Sequence, residues 1–320
     1  MIDQTLNHET GPYSPLQASY SSQDGMDELY KYGFSLVRPR QPLRISVAEQ
    51  VRSLRWRCVI QARDLELLRL LGTIPLLSRD QIWRLYWPGC AVRTVNERLK
   101  KLYESYVINC HSPLPVMPQT RVYPGRLYTL DEVGSALLRA EGIPTERAVV
   151  RQYPVFDVHQ SGRDFVTSLF YLQLRECGVP FIWKGDADSL VYRRHQPEVV
   201  AQPQAWLQMG QGQSYYLSVG VTKGWRLPTE YAVAVAEGGW PGQGEGRPFP
   251  TVLFLVRDEV VDVARAALRQ ESGSVRYWLK SWRDMAQADP LTGWEDVTTG
   301  AQVSLWLETP SQDGIEEVKQ

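Results

Sequence analysis

The chain has 320 residues, an apolar fraction of 43% and a net charge of −1, which suits two folded domains and excludes a mostly disordered chain. No stretch approaches the ~20 uninterrupted apolar residues of a membrane span, and residues 1–30 lack the pattern of a signal peptide, so we expect a cytoplasmic protein without membrane contacts. Residues 36–128 carry 16 Lys and Arg against 6 Asp and Glu, whereas the rest is acidic, and such a basic block predicts a polyanionic partner.

The chain starts with two segments of low complexity. Residues 1–37 are rich in Ser, Gln, Gly and Tyr without sustained periodicity, and like 309–320 they predict a flexible tail. Residues 38–61 form an Arg-rich arm, in which Arg38 and Arg40 beside proline are candidates for minor-groove or phosphate contacts. The alternative is a linker that arginine keeps soluble. The second part of the arm predicts a helix with three residues on one face: Val47, Val51 and Leu54.

Three helices follow in a compact pattern. The first is amphipathic over 64–71 and stops at Gly72, and Ser78 is the predicted N-cap of the second, over 79–86. The third, over 91–105, has apolar residues at the spacing of one helical face: Val92, Val95, Leu99 and Leu102.

A predicted hairpin comes directly behind the third helix. Its strands are 106–110 and 126–130, with a proline-rich segment between them, and Asp131 then caps a further helix through Leu138. Helix, helix, helix and hairpin is the order of a winged helix-turn-helix, which we predict for residues 62–145.

The polar face of the third helix carries the functional prediction. If the apolar face is buried, the opposite face presents Arg93, Thr94, Asn96, Glu97, Lys100 and Lys101. In a helix-turn-helix this face enters the major groove, where Arg and Asn bind base edges and Lys holds phosphates. We therefore predict double-stranded DNA as the partner, with further basic candidates around the helix: Arg79, Arg84, Arg98, Arg121 and Arg126. The alternatives are a solvated helix and a winged helix that contacts protein.

The remaining residues, 146–308, alternate between strand and helix patterns. Strands are predicted at 179–183, 215–221 and 251–256, and helices at 163–176, 229–236 and 259–270. The Gly-rich loop 238–248 should lack regular structure. The alternation predicts a mixed α/β layer domain, so the fold class of the chain is α/β (α+β overall).

Catalytic and metal-binding patterns are sparse. No phosphate-binding loop, GxSxG or HExxH motif occurs, and cysteine and histidine are too scattered for the paired ligands of zinc sites. We expect buried thiols, no metal, no cofactor and no enzymatic activity. The scattered residues are Cys58, Cys90, Cys110, Cys177, His8, His111, His159 and His195.

Four passages together resemble the replication-relaxation family, accessory proteins of plasmids and integrative elements. They are RTVNERLKKL in the third helix, RLYTLDEVGSALL after the hairpin, PFPTVLFLVRDEVVDVARAAL near the end, and the run Gly300–Trp306. The resemblance covers roughly residues 62–307 and depends on the order and spacing of the four passages.

The resemblance implies a second domain related to the restriction-endonuclease fold. That fold has a Pro-Asp pair followed by a strand with further acids. Here Pro203 is followed by Gln204, and the acidic strand positions carry Ser218 and Gly220, while Lys223 beyond them could touch phosphate. The resemblance therefore implies a nuclease-like fold whose catalytic pattern is degenerate.

The sequence thus predicts site-directed duplex DNA binding in the replication, transfer or regulation of a mobile element. The second domain would serve homodimerisation on a palindromic site, or contact with a replication or conjugation protein. One alternative is a protein-binding structural adaptor. The other is a metal-dependent nuclease with displaced acids, for which the candidates are Asp186, Asp188, Glu198 and Glu230.

Overall fold

The computed structural model describes residues 34–36, 43–113, 126–143, 158–185, 190–193, 198–210, 212–220, 229–240, 243–271, 273–287 and 289–305. The chain is a mixed α/β protein that divides into two compact units, Met1–Glu176 (unit 1) and Cys177–Gln320 (unit 2). Several predictions fall outside the described residues: 1–33 and 37 of the first tail, all of the second tail, Arg38, Arg40, Arg121, Asp186, Asp188 and Lys223. The first tail, predicted to be flexible throughout, contains a strand at 34–36 that pairs antiparallel with 111–113.

Unit 1 combines six described helices with a four-stranded antiparallel sheet of order β1-β3-β4-β2. The elements are β1 (Phe34–Leu36), α1 (Val47–Trp56), α2 (Ala62–Thr73), β2 (Leu77–Ser78), α3 (Arg79–Tyr86), α4 (Val92–Glu104), β3 (Ile108–Pro113), β4 (Leu127–Leu130), α5 (Glu132–Ala140) and α6 (Val158–Glu176).

Side-chain caps determine where the helices of unit 1 begin. Ser78 is the N-cap of α3, as predicted: its Oγ accepts from the Gln81 N–H at 3.2 Å, and its own N–H donates to Gln81 Oε1 at 2.8 Å. Ser46 and Glu49 make the same reciprocal pair at the start of α1. Each pair satisfies two N–H groups that have no partner inside the helix.

The core of unit 1 reaches beyond the predicted winged helix on both sides. Val51 and Leu54 of α1 are buried in it, so the second part of the Arg-rich arm belongs to the folded unit. Leu172 of α6 joins the same core, and the Leu76 N–H donates to Ser168 Oγ at 3.3 Å. The units therefore divide after α6 rather than at the predicted boundary near residue 146.

Unit 2 contains a seven-stranded mixed sheet of order β14-β13-β12-β11-β9-β8-β5 and a three-stranded sheet of order β10-β6-β7. The strands are β5 (Phe181–Gly185), β6 (Val191–Arg193), β7 (Val199–Ala201), β8 (Ala205–Met209), β9 (Gln213–Gly220), β10 (Gly238–Gly239), β11 (Thr251–Val256), β12 (Tyr277–Ser281), β13 (Trp294–Asp296) and β14 (Gln302–Val303). The helices are α7 (Thr229–Glu237), α8 (Val261–Glu271) and α9 (Trp282–Gln287).

Strands β9, β11 and β12 pair in parallel, and the other strands of the large sheet pair antiparallel. A parallel pair needs a long crossover, which α7 provides between β9 and β11 and α8 provides between β11 and β12. Strand β11 has the sequence TVLFLV and is buried from Val252 to Val256, the pattern of a strand covered on both faces. The predicted mixed α/β class is confirmed for this unit.

Two local predictions are wrong. The Gly-rich loop contains β10 and a 3-10 turn at Gln243–Glu245, and a Cβ at Gly238 would lie 2.4 Å from the Ala234 carbonyl oxygen, so glycine permits this tight pairing. Cys58 and Cys177 are exposed and Cys90 is half-buried, so only Cys110 is buried as predicted, and none of the four forms a disulfide bond.

Candidate nucleic-acid interface

Helix α4 lies with one side in the core of unit 1. Val95, Leu99 and Leu102 are fully buried there, as their spacing predicted. Val92 departs from the prediction, because at the first helical position its side chain is 40% exposed, and Tyr103 takes a place in the core instead. The apolar residues of α4 that pack into the core are therefore displaced toward the C-terminal end of the helix.

The opposite side of α4, called here the α4 outer face, consists of Arg93, Thr94, Asn96, Glu97, Lys100 and Lys101. Asn96 is half-buried and the other five are exposed. Ala91 at the N-cap makes no side-chain hydrogen bond, so the N–H groups of the first turn are not taken up by a capping side chain.

Local ion pairs hold two of the cations on this face. Arg93 Nε lies 2.9 Å from Glu97 Oε1, with the side chains 89% and 65% exposed, and Lys100 Nζ lies 3.7 Å from Glu104 Oε1. Pairs this exposed contribute between nothing and about 1 kcal/mol. Both cations can therefore exchange a carboxylate for a phosphate at little cost, and Lys101 forms no ion pair with any residue in the described part of the chain.

Arg98, which was predicted as a further DNA-binding candidate, is buried against α2 rather than exposed beside the outer face. Its Nε donates to Asp64 Oδ1 at 2.9 Å, and its Nη2 donates to Asp64 Oδ2 and, at 2.8 Å, to the Val59 carbonyl oxygen. Asp64 is fully buried and the Arg98 side chain is 13% exposed. A buried carboxylate requires a hydrogen-bonded cation, and Arg98 supplies it. The guanidinium thus fastens α4 to α2 and is not presented to a ligand.

The other basic candidates around α4 are in mixed environments. Arg126 is exposed, and its carbonyl oxygen accepts from the Arg79 N–H at 3.0 Å, which joins the start of α3 to the start of β4. The Arg79 side chain contacts Asp80 at 2.8 Å and is one-third exposed. Arg84 is half-buried, and its Nη1 has no hydrogen-bond partner among the described residues.

Sequence reasoning missed one exposed group on α1. Trp56 is 89% exposed at the last residue of this helix, and Arg52 and Arg57 beside it are exposed as well. The signal was present in the pattern, since the spacing that buries Val51 and Leu54 directs position 56 away from the core.

In unit 2 the three positions that the resemblance compares with nuclease acids lie together. Gln204 precedes β8, its N–H donates to the Leu217 carbonyl oxygen at 2.8 Å, and its Oε1 accepts from the Val219 N–H at 2.6 Å. The Gln204 amide is thereby fixed on β9 between Ser218 and Gly220. Where acids would gather in a nuclease, this site presents an amide, a hydroxyl and a bare backbone.

The displaced acids do not assemble within the described residues. Glu198 pairs with Arg193 at 2.8 Å, and Arg193 also contacts Glu237. Glu230 lies in the first turn of α7. Among the described residues no group of three His, Cys, Asp or Glu side chains is placed to hold a metal ion.

No protein-family model matches the chain, and no curated protein or solved structure is significantly similar to it. None of the helices in the described ranges has the length and apolar character needed to cross a membrane. We therefore infer function from the geometry and charge of each unit.

Proposed function

We propose that the chain binds duplex DNA in a sequence-directed manner through a winged helix in unit 1. The order α2, β2, α3, α4, β3, β4 supports this proposal, as do the antiparallel pairing of β3 with β4 and that of β4 with β2. In a winged helix these strands support the hairpin that flanks the recognition helix, and α4 occupies the position of that helix.

The α4 outer face is the observation that carries the proposal. Its cations project from a helix whose other side is buried and whose position is fixed by Arg98 and Asp64, so a groove-reading helix would be presented rigidly. Arg93 and Asn96, nearer the N-terminal end, would bind base edges, and Lys100 and Lys101 would hold phosphates.

Unit 2 would provide a nuclease-like but non-catalytic domain. The adjacent positions of Gln204, Ser218 and Gly220 support this assignment, because the positions that the resemblance compares with nuclease acids come together without any acid among them. Such a domain would serve as a homodimer contact, aligning two α4 helices with half-sites about one helical turn apart. Together with the resemblance to the replication-relaxation family, this suggests a role in the replication, transfer or regulation of a mobile element.

Salt-dependent binding of the full chain to duplex DNA from its own upstream region tests the proposal. With roughly 4–8 phosphate contacts per protomer, affinity should fall by orders of magnitude between about 50 mM and 200 mM salt. Lys101→Ala should weaken binding to all sequences alike and lower the salt slope by about one.

The matched control is Arg276→Ala, which removes one exposed cation from unit 2 and should leave both affinity and slope unchanged. Affinity that does not depend on salt, or absence of binding at low salt, would contradict the proposal. The adaptor alternative would gain if a protein partner competed with DNA for the α4 outer face.

A further inference from the structure

Trp56 has no structural role that would explain its position. It is 89% exposed, whereas the other exposed large apolar side chains of the described residues are 37–64% exposed. The apolar seam of α1 is complete without it, because Val51 and Leu54 on the opposite side pack into the core. The exposed indole gains little stabilisation from burial, so its faces are available to a ligand.

Arginines surround this indole. Arg52 lies one helical turn before Trp56 and therefore shares its face, and Arg57 follows it directly; both are exposed. Arg55 differs from them, because its Nη2 lies 3.3 Å from Glu141 of α5. The group defined by Trp56, Arg52 and Arg57, called here the indole patch, thus combines one exposed aromatic side chain with two exposed cations near it on the helix.

The segment that follows the indole patch is hydrogen-bonded to α4. After Trp56 the chain turns at Cys58, whose φ of 49° is left-handed, and the Val59 N–H closes the helix end by donating to the Leu54 carbonyl oxygen at 3.0 Å. The Val59 carbonyl oxygen then accepts from Arg98 of α4 at 2.8 Å. On α4, Arg98 lies one turn from both Thr94 and Lys101 of the outer face. Val59, three residues after Trp56, is therefore held one helical turn from two residues of the outer face.

We propose that the indole patch binds an unpaired base of DNA next to the duplex held by α4. The indole would stack on the base, and Arg52 and Arg57 would contact the phosphates on either side of it. The base must be unpaired, because in a duplex both of its faces are already covered by neighbouring bases. The preferred substrate would then be a junction between double-stranded and single-stranded DNA. This inference rests on the proposed function of α4.

The test compares two DNA probes with the full chain by fluorescence anisotropy. One is a blunt duplex of about 30 base pairs, and the other is the same duplex with a single-stranded extension of about six nucleotides, prepared with either polarity. The wild type should bind an extended probe roughly 5- to 150-fold more tightly than the blunt duplex, the range expected for stacking on one base. Trp56→Ala should abolish this difference without affecting the blunt duplex, and Trp56→Phe should retain most of it.

Two further measurements separate the possible outcomes. Lys101→Ala should weaken binding to both probes by the same factor. If the wild type binds no blunt duplex but binds oligo(dT) in a way that depends on Trp56, the α4 proposal alone would be refuted. Equal affinity of wild type and Trp56→Ala for every extended probe would overturn the indole-patch proposal. If Trp56→Ala instead shifts the sedimentation of the free protein from dimer to monomer while DNA binding is unchanged, the patch is a protein interface and the proposal is wrong.

Discussion

The two units use their cations differently. In unit 2 several ion pairs join separate elements: Arg265 of α8 contacts Glu295 of β13, Arg283 of α9 contacts Asp258 before α8, and Arg193 of β6 contacts Glu237 of α7. On the α4 outer face of unit 1, by contrast, each ion pair joins two residues that are four positions apart on the same helix. Position within the fold, rather than the number of arginines, therefore distinguishes a cation that stabilises the structure from one that is available to a ligand.

Arg98 shows the same distinction within a single helix of unit 1. It sits on the same helix as Arg93, yet it is buried with Asp64 and acts as the arginines of unit 2 do.

The largest effect is expected from Asp64→Ala. This change leaves the Arg98 guanidinium buried without its carboxylate, which should lower the free energy of unfolding by about 3–5 kcal/mol. Denaturant unfolding followed by circular dichroism measures the loss. Glu97→Ala is the control, because it removes the exposed partner of Arg93 and should change stability by less than about 1 kcal/mol. Equal effects of the two substitutions would remove the distinction between the buried and the outer cations.

Arg93→Ala should have the opposite profile, with little effect on stability and a large one on DNA recognition. If Arg93 binds a base edge, the substitution should weaken binding to the preferred site by about 1–3 kcal/mol and binding to random duplex much less. Competition titrations with both DNAs give the ratio. Lys101→Ala is the comparison here, since it should weaken both alike. Identical behaviour of the two variants on every sequence would show that α4 reads no bases.

Lys280 of β12 is the counterpart of Arg98 in unit 2. It is 3% exposed, and its Nζ donates to the carbonyl oxygens of Asp289 and Thr292 at 2.8 and 2.6 Å. Burial lowers the pKa of Lys280 from 10.5 to about 8. Below pH 8 the folded and unfolded states are both protonated, and the buried charge destabilises the fold. Between pH 8 and 10.5 only the unfolded state keeps the proton, so the free energy of unfolding rises with pH.

The rise between about pH 7 and about pH 9.5 should amount to about 2 kcal/mol. This pH interval lies below the range in which tyrosine ionises. Burial raises the pKa of Tyr86 to about 12, and that shift lowers the free energy of unfolding as the pH rises, opposite to the effect of Lys280. Denaturant unfolding at the two pH values measures the rise. Lys280→Met should show none of it, and a wild type as flat as this variant would mean that the amine is not buried in charged form.

Periodicity and local capping predict much of unit 1, because both depend on near neighbours in the sequence. Ser78 caps α3 through a residue three positions away, and the α4 seam repeats with the helical turn. The role of Arg98 was not predictable in this way, since its partner Asp64 lies 34 positions earlier and is brought to it only by packing of α2 against α4.

In unit 2 the long central strands were predictable and the short peripheral ones were not. β11 shows as a run of buried apolar residues, whereas β6, β7 and β13 have three residues each and carry no periodic signal. The alignment of Gln204 with Ser218 and Gly220 depends on the antiparallel register of β8 and β9, which motif spacing alone does not determine.

The last prediction is that unit 2 cleaves no DNA, so that adding Mg²⁺ or Mn²⁺ should change nothing. Nucleases hold these hard cations with carboxylate oxygens, which balance the charge of the ion against the scissile phosphate. Here Gln204 offers a neutral amide whose oxygen is already bound to the Val219 N–H, Ser218 a neutral hydroxyl and Gly220 no side chain. Supercoiled, linear and single-stranded DNA incubated with the full chain and either metal should therefore remain intact, as in a protein-free control. Cleavage that disappears in Asp186→Ala or Asp188→Ala would overturn the assignment and show that displaced acids rebuild a site. Cleavage that survives both substitutions and follows an unrelated activity through a sizing column would identify a contaminant, because Gln204, Ser218 and Gly220 supply no carboxylate to hold the metal.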